Sequence, residues 1–242
     1  MHNIYDNPPD FNFIEEHYKL LYNISGLDKI HETIKYLPEK DLEFFQVPVQ
    51  KFGVSDRSSV FIKDFYNFVD KDPTFNKVYE SFINSFLKKL LCTDQLVVQR
   101  TPNIRFHLPG FSNIGYIENN KNKYPDLIGI HTDSEFGHPL NEINVIIALT
   151  DMFGTNSIYY ESLPDSGTDI YDYKNLELKK EQIYIGNLNK CNHYNKINST
   201  NVSRVSLDFR VLKLSDYQNN TTAGTSVSAN KKFTIGDYYT LM

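Results

Sequence analysis

The chain has 242 residues, of which 40% are hydrophobic and 14% aromatic, enough apolar mass for one buried core and too much for a disordered chain. A formal net charge of -5, a pI of about 5.8 and five arginines without a basic run exclude a nucleic-acid footprint. The two cysteines, Cys92 and Cys191, lie far apart outside any paired spacing, which excludes a disulfide framework or a zinc knuckle.

In chain order, the opening segment MHNIYDNPPDFNFIEEHYK lacks the basic start and apolar run of a secretory signal, and no later stretch has the apolar length of a membrane span. The expectation is a cytoplasmic chain with no membrane partner. Residues 11–37 and 64–92 carry apolar and aromatic side chains at spacings of three and four, as in Phe65, Phe68, Val69 and then Val78, Phe82, Phe86, Leu90. These spacings predict amphipathic helices. Asp72-Pro73 has the form of a helix start, which divides the second region into two helices.

From about residue 95 the pattern changes to short runs of period two, which predict strands over 96–99, 104–108, 143–149, 157–161, 182–185 and 204–212. Turn clusters at Pro109-Gly110, Asn119-Asn120 and Asp165-Ser166-Gly167 separate them. Residues 218–230 read as a flexible loop, and the closing KKFTIGDYYTLM is apolar enough to return to the body as a strand. Helices first and then many strands is an α+β order, here one domain over 1–242, with helical support in 1–94 and a barrel or sandwich of antiparallel strands in 95–242.

The residues with metal chemistry are His131-Thr132-Asp133 and, 62 positions after His131, His193. On an extended segment His131 and Asp133 point to one face, so they can hold one ion with a third ligand from a neighbouring strand. Two neutral imidazoles and one carboxylate cover one face of an octahedral ion and leave three positions open, the arrangement of non-heme iron(II) oxygenases. A lone H-x-D is more often a surface turn. Here it is joined by Arg204 and Ser206, eleven and thirteen residues after His193, in the strand-like run SRVSLDFRV. A keto acid that chelates iron at one end needs a partner for its far carboxylate, and an arginine fork with a serine hydroxyl on the same strand face meets that need. Without the histidine, Arg204 or Arg210 would read as a strand-edge charge in a surface pair.

The order HTD, distal histidine and RVS resembles the iron(II)- and 2-oxoglutarate-dependent oxygenase superfamily over roughly residues 100–213. The resemblance implies a double-stranded β-helix of the jelly-roll and cupin type packed on the N-terminal helices. It implies iron(II) on His131, Asp133 and His193, 2-oxoglutarate anchored by Arg204 and Ser206, and dioxygen as co-reactant. The stretch HTDSEFGHPLNEINVIIALTDMFGTNSIYYES is similar to a branch met in aminoglycoside and cell-surface sugar biosynthesis. By that likeness Glu135, His138, Glu142, Asn144, Thr150, Asn156, Ser157 and Glu161 line the pocket, Asn144 and Thr150 on the cosubstrate side and the others toward substrate. The halogenating variants, which lack the carboxylate, are disfavoured by Asp133.

Glu142 and Asn144 alternate with Ile143 and Val145, which puts both polar groups on one strand face beside the metal. His138 lies beyond a Gly-Pro turn and reads as a substrate contact or a support of the site. Arg105, alternating with His107, either reaches an anionic group of substrate or cosubstrate or stays at the rim, and Arg210 poses the same question. Gly137 with Pro139, and Gly154 with Asn156, also have the form of turns. Tyr194 stands where the similar enzymes tend to carry a small residue, which bears on pocket shape. His2, His17 and His31 read as solvated residues of the helical part. The function read is hydroxylation of a polar small molecule such as a sugar, aminocyclitol or amino-acid derivative, with desaturation or ring closure leaving the same signature. The alternatives are a cupin-like metal-dependent isomerase or hydrolase without 2-oxoglutarate, and a binding module that keeps the barrel but not the chemistry.

Overall fold

The computed structural model describes residues 2–6, 9–46, 59–111, 130–163, 173–217, 224–226 and 230–242. Its first part holds β1 (His2–Tyr5), α1 (Asn12–Tyr22), a 3-10 segment (Leu27–Tyr36), α2 (Glu39–Gln46), α3 (Val60–Val69) and α4 (Pro73–Phe82), which a π-turn at Ile83–Leu87 prolongs. Then come β2 (Leu96–Gln99), β3 (Asn103–His107), β4 (Ile143–Ala148), β5 (Ile158–Glu161), β6 (Tyr173–Asn175) and β7 (Ile183–Gly186). The last are β8 (His193–Asn195), β9 (Arg204–Lys213), β10 (Thr225–Ser226), β11 (Lys231–Lys232) and β12 (Tyr239–Leu241).

The ten-residue β9 organises the main sheet, an antiparallel array in the order β1-β7-β4-β9-β2-β12. β4 pairs with β9 over Ser206–Val211 on one edge, while β3 and β2 share the other, against Arg204–Asp208 and Val211–Lys213. A three-stranded sheet in the order β6-β5-β8 makes the second layer. The architecture is therefore α+β, with helices on one face of the main sheet and the small sheet on the other.

Strict alternation along β9 decides which face is which. Val205, Leu207, Phe209 and Val211 join Val145 and Ile147 of β4 and Ile183 and Ile185 of β7 in one core with Ile14, Tyr18, Phe61, Phe65, Phe75 and Tyr79 from the helices. Fully burying each such side chain stabilises by roughly 1.5–3 kcal/mol, so the helical layer is held by the outward half of the strand pattern. Arg204, Ser206, Asp208 and Arg210 occupy the inward half. Gly186 is required on this inner face because a Cβ there would overlap the Tyr184 ring, which lies across it.

Most elements fall where the spacings put them. The Asp72 side chain accepts from the Thr74 N–H at 2.8 Å with Pro73 at the first helical position, which separates α3 from α4. The closing segment returns as β12, with Tyr239 opposite Gln99. Three differences stand out. Residues His2–Tyr5, ahead of the first expected helix, form an edge strand, β1, paired with β7. β6 and β8 are three residues long, too short to show a period. His2, His17 and His31 are half-buried and held rather than freely solvated: His2 bonds the Tyr184 hydroxyl at 2.6 Å, His17 stacks on Phe68 at 4.1 Å, and His31 bonds the Ser203 hydroxyl at 2.8 Å. The turn clusters at Asn119-Asn120 and Asp165-Ser166-Gly167, and most of the 218–230 loop, lie outside the described residues. Among the described residues no helix is long and apolar enough to cross a membrane.

Candidate metal centre

His131 and His193 come together across a single antiparallel bridge, each N–H donating to the other's carbonyl, at 3.1 and 2.9 Å. Their rings lie 4.4 Å apart between centroids. The extended stretch ends at Thr132, and Asp133 is the first residue of a 3-10 turn, Asp133–Phe136. The expected strand thus stops one residue early, because Glu135 folds back to accept the Thr132 N–H at 3.1 Å as in a capping box. Asp133 still reaches both imidazoles: its Oδ1 is 3.7 Å from His131 Nε2 and 3.5 Å from His193 Nε2. The three candidate ligand atoms lie within 4.8 Å of one another.

This set fits a divalent ion. Donors about 2.1 Å from an ion sit about 3 Å apart on adjacent octahedral vertices, which brings the Asp133 oxygen about 0.5–0.7 Å nearer each imidazole and asks for up to about 1.8 Å more closure within the set. His193 Nδ1 faces the Cys191 carbonyl at 3.0 Å; the proton it donates there leaves the Nε2 lone pair for a metal.

The second oxygen of Asp133 is fully occupied by the protein. Oδ2 accepts from Asn144 Nδ2 at 2.9 Å, Arg210 Nε at 3.1 Å and Arg210 Nη2 at 2.7 Å. Asn144 and Arg210 are opposite each other in the β4–β9 register, which is why both reach one atom. Burial alone would raise the Asp133 pKa, but Arg210 and then His193, His138 and His131 outweigh it and hold the carboxyl well below the usual range. The Asn144 side-chain Oδ1 accepts the Asn189 backbone N–H at 2.9 Å, and Asn189 Nδ2 donates to the Pro139 and Leu140 carbonyls at 2.9 and 3.0 Å. Asn189 thus ties β4 to the turn that carries Asp133. Sequence reading missed it because its partners are mostly backbone.

Arg204 is 1% exposed and makes no ion pair among the described residues. Its donors go to neutral oxygens: Nε to the Asn156 carbonyl at 3.1 Å, Nη1 to Ser206 Oγ at 3.0 Å and Nη2 to Asn195 Oδ1 at 3.2 Å. Guanidinium has five N–H donors, so one hydrogen on each terminal nitrogen has no partner among the described residues. Ser206, accepting from Nη1, keeps its own hydroxyl hydrogen to donate. Burial and then Arg105 push the Arg204 pKa down to about 9, with Asp208 pulling the other way, so the group stays charged at neutral pH. Arg105 and Arg210 share Asp208, the first at 3.5 Å. Among the described residues, Arg105, Arg204 and Arg210 thus lie near the two carboxylates Asp133 and Asp208.

The remaining candidates are held mainly by the protein itself. Thr150 donates to the Ser203 carbonyl at 3.1 Å and accepts the Val205 N–H at 2.7 Å, which fixes the chain next to Arg204. Asn156 accepts the Phe153 N–H at 2.8 Å through Oδ1, the turn role, while its carbonyl serves Arg204. His138 bonds Glu142 at 2.8 Å, and Glu142 also accepts from the Tyr239 hydroxyl. Glu142 therefore turns away from the Asp133 carboxylate that Asn144 holds. Glu161 takes the Asn192 N–H at 2.8 Å and its amide at 2.9 Å, and alternation in β5 sends it to the side opposite Tyr160, the residue paired with His193. The same alternation removes the question raised by Tyr194: its ring stacks on Tyr159 at 5.4 Å, away from the metal side of β8. A cleft of about 160 Å³ whose lining includes Pro9, Asp10, Phe11, Glu15, Lys180 and Glu181 lies apart from this centre; Glu15 and Lys180 pair with each other there.

No protein-family model matches the chain. Among curated proteins, the streptomycin biosynthesis protein StrG of Streptomyces griseus is 26% identical over 222 residues, covering 91% of this chain and 96% of that protein. Solved structures that align with it include EctD from S. alaskensis with bound iron, at 12% identity and a TM-score of 0.46 over 89% of this chain and 73% of that one. A non-heme monooxygenase, the ThoJ nickel complex, aligns at 14% identity and a TM-score of 0.42 over 88% and 73%. The alpha-ketoglutarate-dependent carbocyclase SnoK from nogalamycin biosynthesis aligns at 12% and 0.40 over 86% and 98%. Over nearly its whole length, then, the chain is similar in sequence to a streptomycin biosynthesis protein.

Proposed function

We propose that the protein is an iron(II)- and 2-oxoglutarate-dependent dioxygenase that hydroxylates a hydrophilic small molecule, with the two sheets forming a double-stranded β-helix. The observation that carries this reading is Arg204. A buried guanidinium without a carboxylate partner is costly, and this one lies on the inner face that also holds the His131, Asp133 and His193 cluster, with Ser206 beside it. An anion supplied from outside resolves that cost, and a dicarboxylate whose other end chelates a metal fits both features at once.

When bound, iron(II) with 2-oxoglutarate and dioxygen supplies the oxidation of a carbon–hydrogen bond, with succinate and carbon dioxide as coproducts. The chain's own residues set the geometry. Arg204 and Ser206 bind the distal carboxylate through charge-assisted hydrogen bonds. Asn144 and Arg210 hold Asp133 by the oxygen it does not offer, and Cys191 fixes the His193 tautomer.

A hydrophilic substrate, a sugar, aminocyclitol or amino-acid derivative, is supported by the likeness to a streptomycin biosynthesis protein and by the polar inner half of β9. The test is oxygen consumption and succinate formation by the iron-loaded protein against a panel of aminocyclitols, sugars and amino acids. The account expects turnover that requires 2-oxoglutarate and a KM for it raised about 10- to 100-fold in Arg204→Ala. Turnover of any panel member without 2-oxoglutarate would contradict it.

A further inference from the structure

The turn that carries Asp133 is also held by the far end of the chain, at three points. Gly137 closes the turn at a φ of 81°, and a Cβ there would lie 2.9 Å from Gly224 Cα, so the two backbones meet where side chains have no room. The Phe233 ring lies on that of His138, with centroids 4.1 Å apart. His138 bonds one oxygen of Glu142 at 2.8 Å, and the Tyr239 hydroxyl donates to the other. Glu142 is 1% exposed, and Phe233 and Tyr239 are fully buried.

The C-terminal segment is in turn fixed to the main sheet. β12 pairs with β2, Arg100 N–H donates to the Tyr238 carbonyl at 3.0 Å, and Leu96 and Met242 exchange backbone bonds at 2.8 Å. None of Gly224, Phe233 and Tyr239 is a candidate metal ligand, and residues 137–142, which they grip, have no strand pairing of their own. A buried carboxylate is tolerated only when both oxygens are bonded, so the His138, Glu142, Tyr239 trio holds only when turn and strand are in register.

We propose that the C-terminal segment is a positioning element of the metal centre, in which Tyr239, Phe233 and Gly224 fix the turn that presents Asp133, so that metal affinity depends on residues a hundred positions away. The inference rests on the metal-centre reading above. The segment acts through the turn, and its signature is a loss of metal affinity in the folded protein that a change elsewhere in the same strand does not cause.

The test is anaerobic cobalt(II) titration of the full chain, read by the ligand-field absorption band, together with the thermal midpoint of the metal-free protein. The variants are Tyr239→Phe, which deletes one oxygen, and Phe233→Leu. The control is Leu241→Ala, at a 43% exposed position of the same strand. The expected result, read well below every variant's midpoint, is a cobalt Kd raised on the order of tenfold in both variants, a shifted band, and a wild-type Kd in the control. Unchanged affinity in both, or an affinity loss matched by the control, overturns the inference while leaving the metal reading intact. Failure of the wild-type chain to bind cobalt overturns the metal reading itself.

Discussion

Arg210 grips Asp133 by the oxygen that faces away from the two imidazoles, with Nη2 at 2.7 Å and Nε at 3.1 Å from Oδ2. The carboxylate is thereby divided: Oδ2 belongs to the protein and Oδ1 to the candidate metal. The Arg210 pKa, which burial would lower, is held up by Asp133 and Asp208, so the pair is ionised over the whole working range.

Arg210→Met keeps the bulk and removes the grip. It leaves Asp133 buried with Asn144 as its remaining partner on Oδ2, and breaking a buried pair this way costs about 3–5 kcal/mol. The expected outcome is that loss in urea unfolding of the metal-free protein, with a metal Kd raised about 10- to 100-fold. Wild-type affinity would mean that Asn144 alone orients the carboxylate.

His107 supplies a pH dependence. The ring is fully buried between the Asn156 and Phe111 carbonyls, at 2.9 and 3.0 Å. Burial and then Arg204 push its pKa down from 6.5 to about 4. A histidine that is less basic when folded binds fewer protons than in the unfolded chain. Its contribution is therefore complete above pH 6.5 and falls away as pH drops through 4, by roughly 3 kcal/mol in all. Urea unfolding of wild type and His107→Gln across pH 7 to 4 should show the gap between them narrowing by about that amount. A gap independent of pH would place the titration elsewhere.

Tyr194 is adjacent to a proposed ligand and is predicted to be irrelevant to it. It is 3% exposed, with its ring against Tyr159 and Tyr173 at 5.4 Å from each. Tyr194→Leu should cost roughly 1–3 kcal/mol of stability and leave metal and 2-oxoglutarate affinities unchanged. A change of more than a few-fold in either affinity would show that β8 does not keep its two faces apart.

These contrasts show what was legible in the sequence. The His131, Asp133 and His193 cluster was legible from residue type, since Asp133 lies in a 3-10 turn and not on a strand, and the Arg204-Ser206 pair from the period of two that β9 keeps along its length. The inner and outer faces of β4 follow from the same rule, which puts Asn144 on the face of Asp133, where its amide serves Asp133 and Asn189. Glu142, just outside β4, obeys its partners in β12 and the turn rather than the alternation. Asn189 gave no signal because its partners lie 45 to 50 residues away, which no local pattern encodes, whereas Asp208 stands two residues from Arg210 on the face that the period of two defines. β1 went unseen for a similar reason: four mixed residues become a strand only because β7 offers an open edge.

The central claim is that Arg204 and the His131, Asp133, His193 set serve one chelated cosubstrate. The most direct measurement is anaerobic addition of iron(II) and then 2-oxoglutarate to the purified protein, watching for the weak visible charge-transfer band of the chelate. The account predicts a band in wild type, none in Asp133→Ala, and in Arg204→Ala a band only at much higher 2-oxoglutarate. Bound iron with no band at any 2-oxoglutarate concentration would contradict it and leave a metal-dependent enzyme that uses no keto acid.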